Sequence, residues 1–294
     1  MFDNMQVLES KEGNVWKYIF ERKDAIAEAV LYKHESFEKR AVICCSVMSG
    51  CPVGCSFCGT GKEFIRNLTD DEIVEQIRKV LRDKNIEDIN SRSEKFQIMF
   101  MSMGEPMLNW GNVKNAILRL NEFYPNADLL ISTVGIANDV TFNSIINLSK
   151  RIDKIGLQFS IHRGFDRERN QLIPFKQKMN LRRIRDAGIV WNRLTSRKVY
   201  CNYVVTDKNQ GIREINKLKD LFSPTVFNFT FSVLCQADKD KQNQKRETVN
   251  EIKNIHDCFI SEGYNSRIFN PAGQDDIGGG CGQLWYVQQW LKNN

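Results

Sequence analysis

The chain has 294 residues, of which 27% are charged, with a net charge of +6 and nine cysteines. That length can bury one large core. It excludes the small secreted scaffold that nine cysteines would otherwise suggest, and the sequence opens Met-Phe-Asp-Asn with no apolar signal segment or membrane-length apolar run, so it reads as cytoplasmic with reduced thiols. The mild basic excess fits a polyanionic partner such as nucleic acid without requiring one.

Two β-rich runs, residues 14–21 and 26–32, flank the polar turn Arg22-Lys23-Asp24 and predict a hairpin. Glu28 lies inside the second run, where an outward-facing strand residue and a functional carboxylate are both open readings. The strand Arg40-Ala-Val-Ile-Cys44-Cys45 follows. Neighbouring strand residues point to opposite faces, so at most one of Cys44 and Cys45 faces a site.

That strand leads into Cys51-Pro-Val-Gly-Cys55-Ser-Phe-Cys58, three thiols on one tight loop. Structural zinc and all-cysteine iron–sulfur sites are usually closed by four ligands. Here there are three, and His34, the nearest of three histidines, offers no obvious fourth. A cubane held by three cysteines keeps one iron open for chemistry, whereas a zinc knuckle short of a ligand or a set of buried thiols would not. The following Gly59-Thr-Gly-Lys62 is not a Walker A loop, because Ser56 and Glu63 stand where a glycine and a Ser or Thr are needed.

Asn67 or Thr69 can cap the next helix, whose first turn is acidic and whose stripe is Ile73, Val74, Ile77, Val80 and Leu81. Strands over 96–102, 129–133, 155–161, 199–206 and 226–233 then alternate with helices over 113–123, 140–148, 181–186, 212–221 and 248–261. This rhythm predicts a parallel sheet with helices outside, curved into a full or partial barrel. Residues 239–246 read as a solvated charged insertion. In such barrels the chemistry sits at the carboxyl ends of strands, where Gly104-Glu105-Pro106, Ser132-Thr133 and Ser160-Ile161-His162 fall. Each could be a cap or loop residue alone; together on one rim they predict a ligand pocket. Near the carboxyl terminus Cys281 is bracketed by Gly278, Gly279, Gly280 and Gly282, a setting that fits a reactive thiol on a loop better than core filling.

The cysteine loop resembles that of the radical S-adenosylmethionine (SAM) enzymes. With Arg40-Ala-Val-Ile-Cys44, Arg66-Asn67-Leu-Thr, Met103-Gly-Glu-Pro-Met-Leu-Asn109, Ser132-Thr-Val-Gly, Ser160-Ile-His162, Asn170-Gln-Leu-Ile-Pro174 and Asp275-Asp-Ile through Cys281-Gly-Gln-Leu, the chain resembles the RlmN/Cfr family of radical SAM RNA adenine methyltransferases. The resemblance implies a partial (β/α)6 barrel over residues 37–270, an amino-terminal β-hairpin extension over 1–36, and a glycine-rich loop with a terminal helix over 271–294. It implies a 4Fe-4S cluster on Cys51, Cys55 and Cys58, and SAM, two per turnover, contacted by Gly104, Glu105, Ser132, Ser160, Ile161 and His162. It further implies that Cys281 carries the methyl group, that Cys44 resolves the adduct through a disulfide, and that Glu28 accepts the ring proton. The implied partners are ribosomal or transfer RNA and an electron donor such as flavodoxin, with no membrane and a monomeric protein. Methylation is expected at carbon 2 of adenine more than at carbon 8. Two departures accompany the resemblance. The sequence starts near where the family's usual amino-terminal RNA-binding domain would end, and Val233 stands where the family has a SAM-contacting asparagine. A radical SAM enzyme acting on a peptide or small molecule, or a zinc-stabilised binding protein, are the alternatives to RNA methylation.

Overall fold

The computed structural model describes residues 1–61, 63–235, 249–280 and 282–293. Lys62, the charged run 239–246, residue 248 at the expected helix start, and Cys281 lie outside them.

Ten strands form one sheet. The first four, β1 (Asn4–Glu9), β2 (Val15–Arg22), β3 (Ala25–His34) and β4 (Arg40–Cys45), run antiparallel, so the expected hairpin is extended by an outer strand. From β4 the sheet is parallel through β7 (Phe96–Phe100), β8 (Asp128–Thr133), β9 (Ile155–Ser160), β10 (Val199–Val205), β11 (Phe227–Val233) and β12 (Ser266–Phe269). The crossover helices are α1 (Asp70–Asp83), α3 (Trp110–Phe123), α4 (Asp139–Arg151), α6 (Leu181–Thr195), α7 (Ile212–Leu221) and α8 (Val249–Ile260). The edge strands β1 and β12 do not pair with each other, which leaves a partial barrel. Shorter pieces are a two-stranded ribbon of β5 (Met48–Gly50) and β6 (Phe64–Asn67), α2 (Ile89–Arg92), a 3₁₀ turn (Pro106–Asn109), α5 (Asp166–Leu172) and α9 (Tyr286–Asn293).

Local chemistry sets these boundaries. Thr69 caps α1 in a capping box with Glu72, while Asn138 and Asn180 cap α4 and α6 through their side-chain oxygens. Strand alternation then divides the apolar residues between two compartments. Ala41, Ile43 and Cys45 of β4 join the large core between sheet and helices, whereas Val42 packs inside the barrel with Val15, Val30, Tyr32, Met99 and Leu130. That inner cluster plugs the barrel and leaves the space above it free. No helix among the described residues is long and apolar enough to cross a membrane.

Candidate active site

A cleft of about 980 Å³, counting its open mouth, lies over the inner plug at the carboxyl ends of the parallel strands. Cys51, Cys55 and Cys58 line one side of it. Their loop is an excursion between β5 and β6, closed at its base by the Cys51 N–H donating to Glu63 O at 2.6 Å. Gly50 makes the entry: its φ is +79°, and a Cβ there would lie 2.2 Å from the Glu63 carbonyl oxygen.

Burial pushes the Cys51 thiol up to about 12 and raises Cys55 and Cys58, with the Glu28 carboxylate adding to the effect at Cys58. Left alone these thiols stay protonated, so the loop needs a cationic group to draw off their protons. Among the described residues no three such groups converge as ligands of a single metal ion. Three thiols on one cleft wall, one short of the four ligands that close a structural zinc site, are a donor set that fits a four-iron cube with one iron left open.

The opposite wall is the strand rim. Glu105, buried after β7, accepts from Val134 N at 2.8 Å, from Met107 N at 3.0 Å and from the Thr133 hydroxyl. Burial raises its carboxyl while these bonds pull it down. Gly104 beside it has φ +99° and sits against Met48, whose atoms would be 2.6–2.8 Å from any added Cβ. Ser132 accepts from Gln158 Nε2 at 2.9 Å, and Ser132 and Ser160 both line the cleft. His162, at φ +60°, accepts the Val204 N–H on Nδ1 at 3.1 Å, so the neutral ring carries its proton on Nε2. Burial, reinforced by the nearby Arg169 charge, holds this ring at about 3, and Phe57 of the cysteine loop packs edge-on against it at 5.0 Å. Ile161 is the exception on this rim. Its side chain packs in the outer core, away from the lining.

Cys44, Val30 and Tyr32 complete the wall on the antiparallel side. Cys44 and Cys45 point to opposite faces, and Cys44 is the one that lines the cleft. Glu28 shares the inner face of β3 with Val30 and Tyr32, but is fully buried beside the cleft rather than exposed outward. Gly279, Gly280 and Gly282 line the mouth, so the chain on both sides of Cys281 reaches the cleft. Gly59 N donates to Gly282 O at 2.5 Å, tying this carboxyl-terminal loop to the cysteine loop.

Three polar residues of the site escape the sequence reading. Lys17, fully buried on β2, lies 2.7 Å from Glu28. A lysine in the run Val-Trp-Lys-Tyr-Ile-Phe was a usable signal: a two-residue turn at Lys23-Asp24 places Lys17 opposite Val30, diagonal to Glu28 on one face. Asn202 of β10 lines the cleft and accepts from Ser232 Oγ at 2.9 Å. The inner-face residues of β11 are Asn228, Thr230 and Ser232, and Val233 instead packs in the outer core. Arg169 is fully buried and donates to Met179 O, Val134 O and Ser160 O, which clamps the ends of β8 and β9 together. Nothing in its local sequence marks that role.

A family model described as a 4Fe-4S single cluster domain matches residues 40–176. The chain is 31% identical over 282 residues to the probable dual-specificity RNA methyltransferase RlmN of Pseudothermotoga lettingae, covering 91% of this chain and 75% of that protein. It is 30% identical over 299 residues to the protein of the same name from Dictyoglomus turgidum, covering 96% and 78%. Among solved structures, a radical SAM methyltransferase from Sphaerobacter thermophilus superposes with a TM-score of 0.80 at 25% identity, over 95% of this chain and 79% of that one. Streptococcus suis SuiB bound to S-adenosylmethionine matches in fold alone, with a TM-score of 0.57 at 14% identity over 79% of this chain and 50% of its own.

Proposed function

Because the chain belongs to the RlmN/Cfr family of radical SAM RNA methyltransferases, with a 4Fe-4S cluster and SAM as cofactors, we propose that it methylates carbon 2 of an adenine in ribosomal or transfer RNA through a methylated cysteine. The observation that carries this reading is the meeting of four features on one cleft: the three loop thiols, the polar strand rim, Cys44, and the glycines flanking Cys281.

In this reading Cys51, Cys55 and Cys58 hold the cluster. Glu105, with Gly104, Ser132, Ser160 and His162, receives SAM, a carboxylate for its ammonium group and neutral donors and acceptors for the rest. Ile161 contributes through its backbone only. Bound together, the cofactors supply a one-electron cleavage of SAM, the source of the radical that takes hydrogen from a methyl group. Adenine carbon is a poor nucleophile, so the methyl group first rides on the Cys281 sulfur and the base becomes joined to the protein through it. The radical adduct then gives up one electron, returning the one that cleavage of SAM consumed, and Glu28 accepts the ring proton. The Cys44 thiolate attacks the Cys281 sulfur, an S–S bond replaces the S–C bond, and the released pair stays on the carbon, which takes up a proton from solvent to become the methyl group. An external dithiol reduces the disulfide, and an external donor of the flavodoxin kind supplies the electrons to a monomeric enzyme.

The test is nucleoside mass spectrometry of separated ribosomal and transfer RNA after anaerobic incubation of the holoenzyme with SAM and a reductant. 2-Methyladenosine is the expected product, and 8-methyladenosine would move the attack to carbon 8. Cys44→Ala should leave RNA covalently attached, and Cys281→Ala should give no methylated base. Release of 5′-deoxyadenosine with no methylated base in either RNA pool would assign the radical chemistry to a different substrate.

A further inference from the structure

Lys17 is the buried charge that the reaction scheme above leaves without a task. Its ammonium group lies 2.7 Å from Glu28 Oε2 as an ion pair and donates to Gln283 O at 3.0 Å and to Gly278 O at 3.3 Å. The Trp285 and Tyr286 rings close over it at 4.7 and 4.8 Å. Lys17 and Glu28 are both fully buried. Such a pair is a weak source of stability, since its desolvation rivals its attraction. Burial alone would neutralise both partners, and the charge of each opposes this in the other.

The two carbonyls that Lys17 grips belong to residues 278 and 283, one on each side of Cys281. A single ammonium therefore fixes both ends of the segment that carries that thiol, and fixes Glu28 in the same contact. Neighbouring bonds finish the latch: the Tyr286 N–H donates to Glu28 Oε1 at 3.1 Å, and the Tyr32 hydroxyl donates to Gly279 O. From the other side Gly280 N donates to Gln283 Oε1 at 2.8 Å and the Thr60 hydroxyl to Leu284 O at 3.3 Å.

We infer that Lys17 is a positioning residue that sets the glycine-rich loop bearing Cys281 and the Glu28 carboxylate at a fixed spacing, so that a base attached through Cys281 meets its proton acceptor. The inference rests on the roles proposed above for Cys281 and Glu28. Loop clamping, however, can be read without RNA.

The experiment compares the wild-type holoenzyme with Lys17→Met, Glu28→Gln and the Lys17→Met/Glu28→Gln double variant. The first readout is amide hydrogen exchange of peptides spanning residues 278–286. Losing two charge-assisted bonds to the loop should speed exchange roughly tenfold or more in Lys17→Met and in the double variant. Glu28→Gln keeps both carbonyl acceptors of Lys17 but removes its counter-charge and weakens the Tyr286 N–H contact, so its exchange should rise less than that of Lys17→Met. The double variant leaves no lone buried charge, so it still decides the matter if Lys17→Met folds poorly. The second readout is the ratio of methylated base to 5′-deoxyadenosine, which should drop in Lys17→Met while SAM cleavage continues. Wild-type exchange together with a wild-type ratio in the Lys17 variants would overturn the assignment. If the wild type itself yields no methylated base, the RNA reading fails, and the exchange comparison alone still decides whether Lys17 clamps the loop.

Discussion

Along the parallel strands β7 to β9 the polar residues of the cleft stand at or just beyond strand ends. There they are held by backbone donors and neutral side chains: Glu105 by Val134 and Met107 N–H groups, His162 by the Val204 N–H, Ser132 by Gln158. On β2 and β3 the polar residues stand in mid-strand, and there a fully buried ion pair is bonded to a segment more than 250 residues away in sequence. The first arrangement is a fixed receptacle: strand ends release backbone groups that must be satisfied, and a ligand can share them. The second arrangement is a joint. Its charges have no solvent to satisfy them, so they are satisfied only when the carboxyl-terminal loop and the first turn of α9 are docked. The rim is therefore suited to holding SAM, and the antiparallel flank to holding the loop proposed above to carry the methyl group.

The largest expected effect tests what both regions serve. Cys55→Ala removes one of the three proposed cluster ligands, and iron, sulfide and visible absorbance of the anaerobically reconstituted protein should fall to background along with 5′-deoxyadenosine formation. A coloured, SAM-cleaving variant would place the cluster elsewhere.

The next effect separates rim from flank with the same chemical change. Glu105→Gln keeps the shape but aims an amide N–H₂ at groups that are themselves donors. SAM affinity, measured by calorimetry on the holoenzyme, should weaken roughly tenfold to a hundredfold, and stability should drop by about 1–3 kcal/mol. Glu28→Gln should leave SAM affinity as it is and lower methylated base per SAM cleaved. Equal effects of the two on SAM binding would erase the division of labour.

The same contrast explains how much was legible in the sequence. The parallel half obeys local rules: strand–helix rhythm gave its order, and the rule that function collects at strand ends picked Glu105, Ser132, Ser160 and His162, all of which line one cleft. Boundaries drifted where capping was unmarked, as in α6, which runs to Thr195 rather than ending near residue 186. The short α5 and β12 went unread because one to two turns and four residues carry too little periodicity. Ile161 was drawn in by sitting between two rim residues, and alternation turns it outward. In the flank, Glu28 was found only through family resemblance, because its meaning depends on a partner loop from the far end of the chain. Lys17 was passed over for the same reason, although hairpin register brings it to Glu28. Arg169 is the extreme case, a buried guanidinium whose three acceptors come from three separate turns.

The smallest effect probes whether the rim is as neutral as its bonding implies. His162 has an ordinary value near 6.5 and is held at about 3, chiefly by burial and then by Arg169. The unfolded chain therefore binds a proton that the folded chain refuses throughout the window between these values. Stability from burying the neutral ring is complete above about 6.5 and is lost as pH falls toward 3, with a slope of at most about 1.4 kcal/mol per pH unit for one group. His162→Gln retains an oxygen to accept the Val204 N–H but cannot titrate. Urea unfolding of the holoenzyme at about pH 7.5 and about pH 5.5 should show the wild type losing more stability than the variant on acidification. Parallel losses would mean that His162 is already charged or already solvated when folded, and the rim would then hold a charge of its own as the flank does.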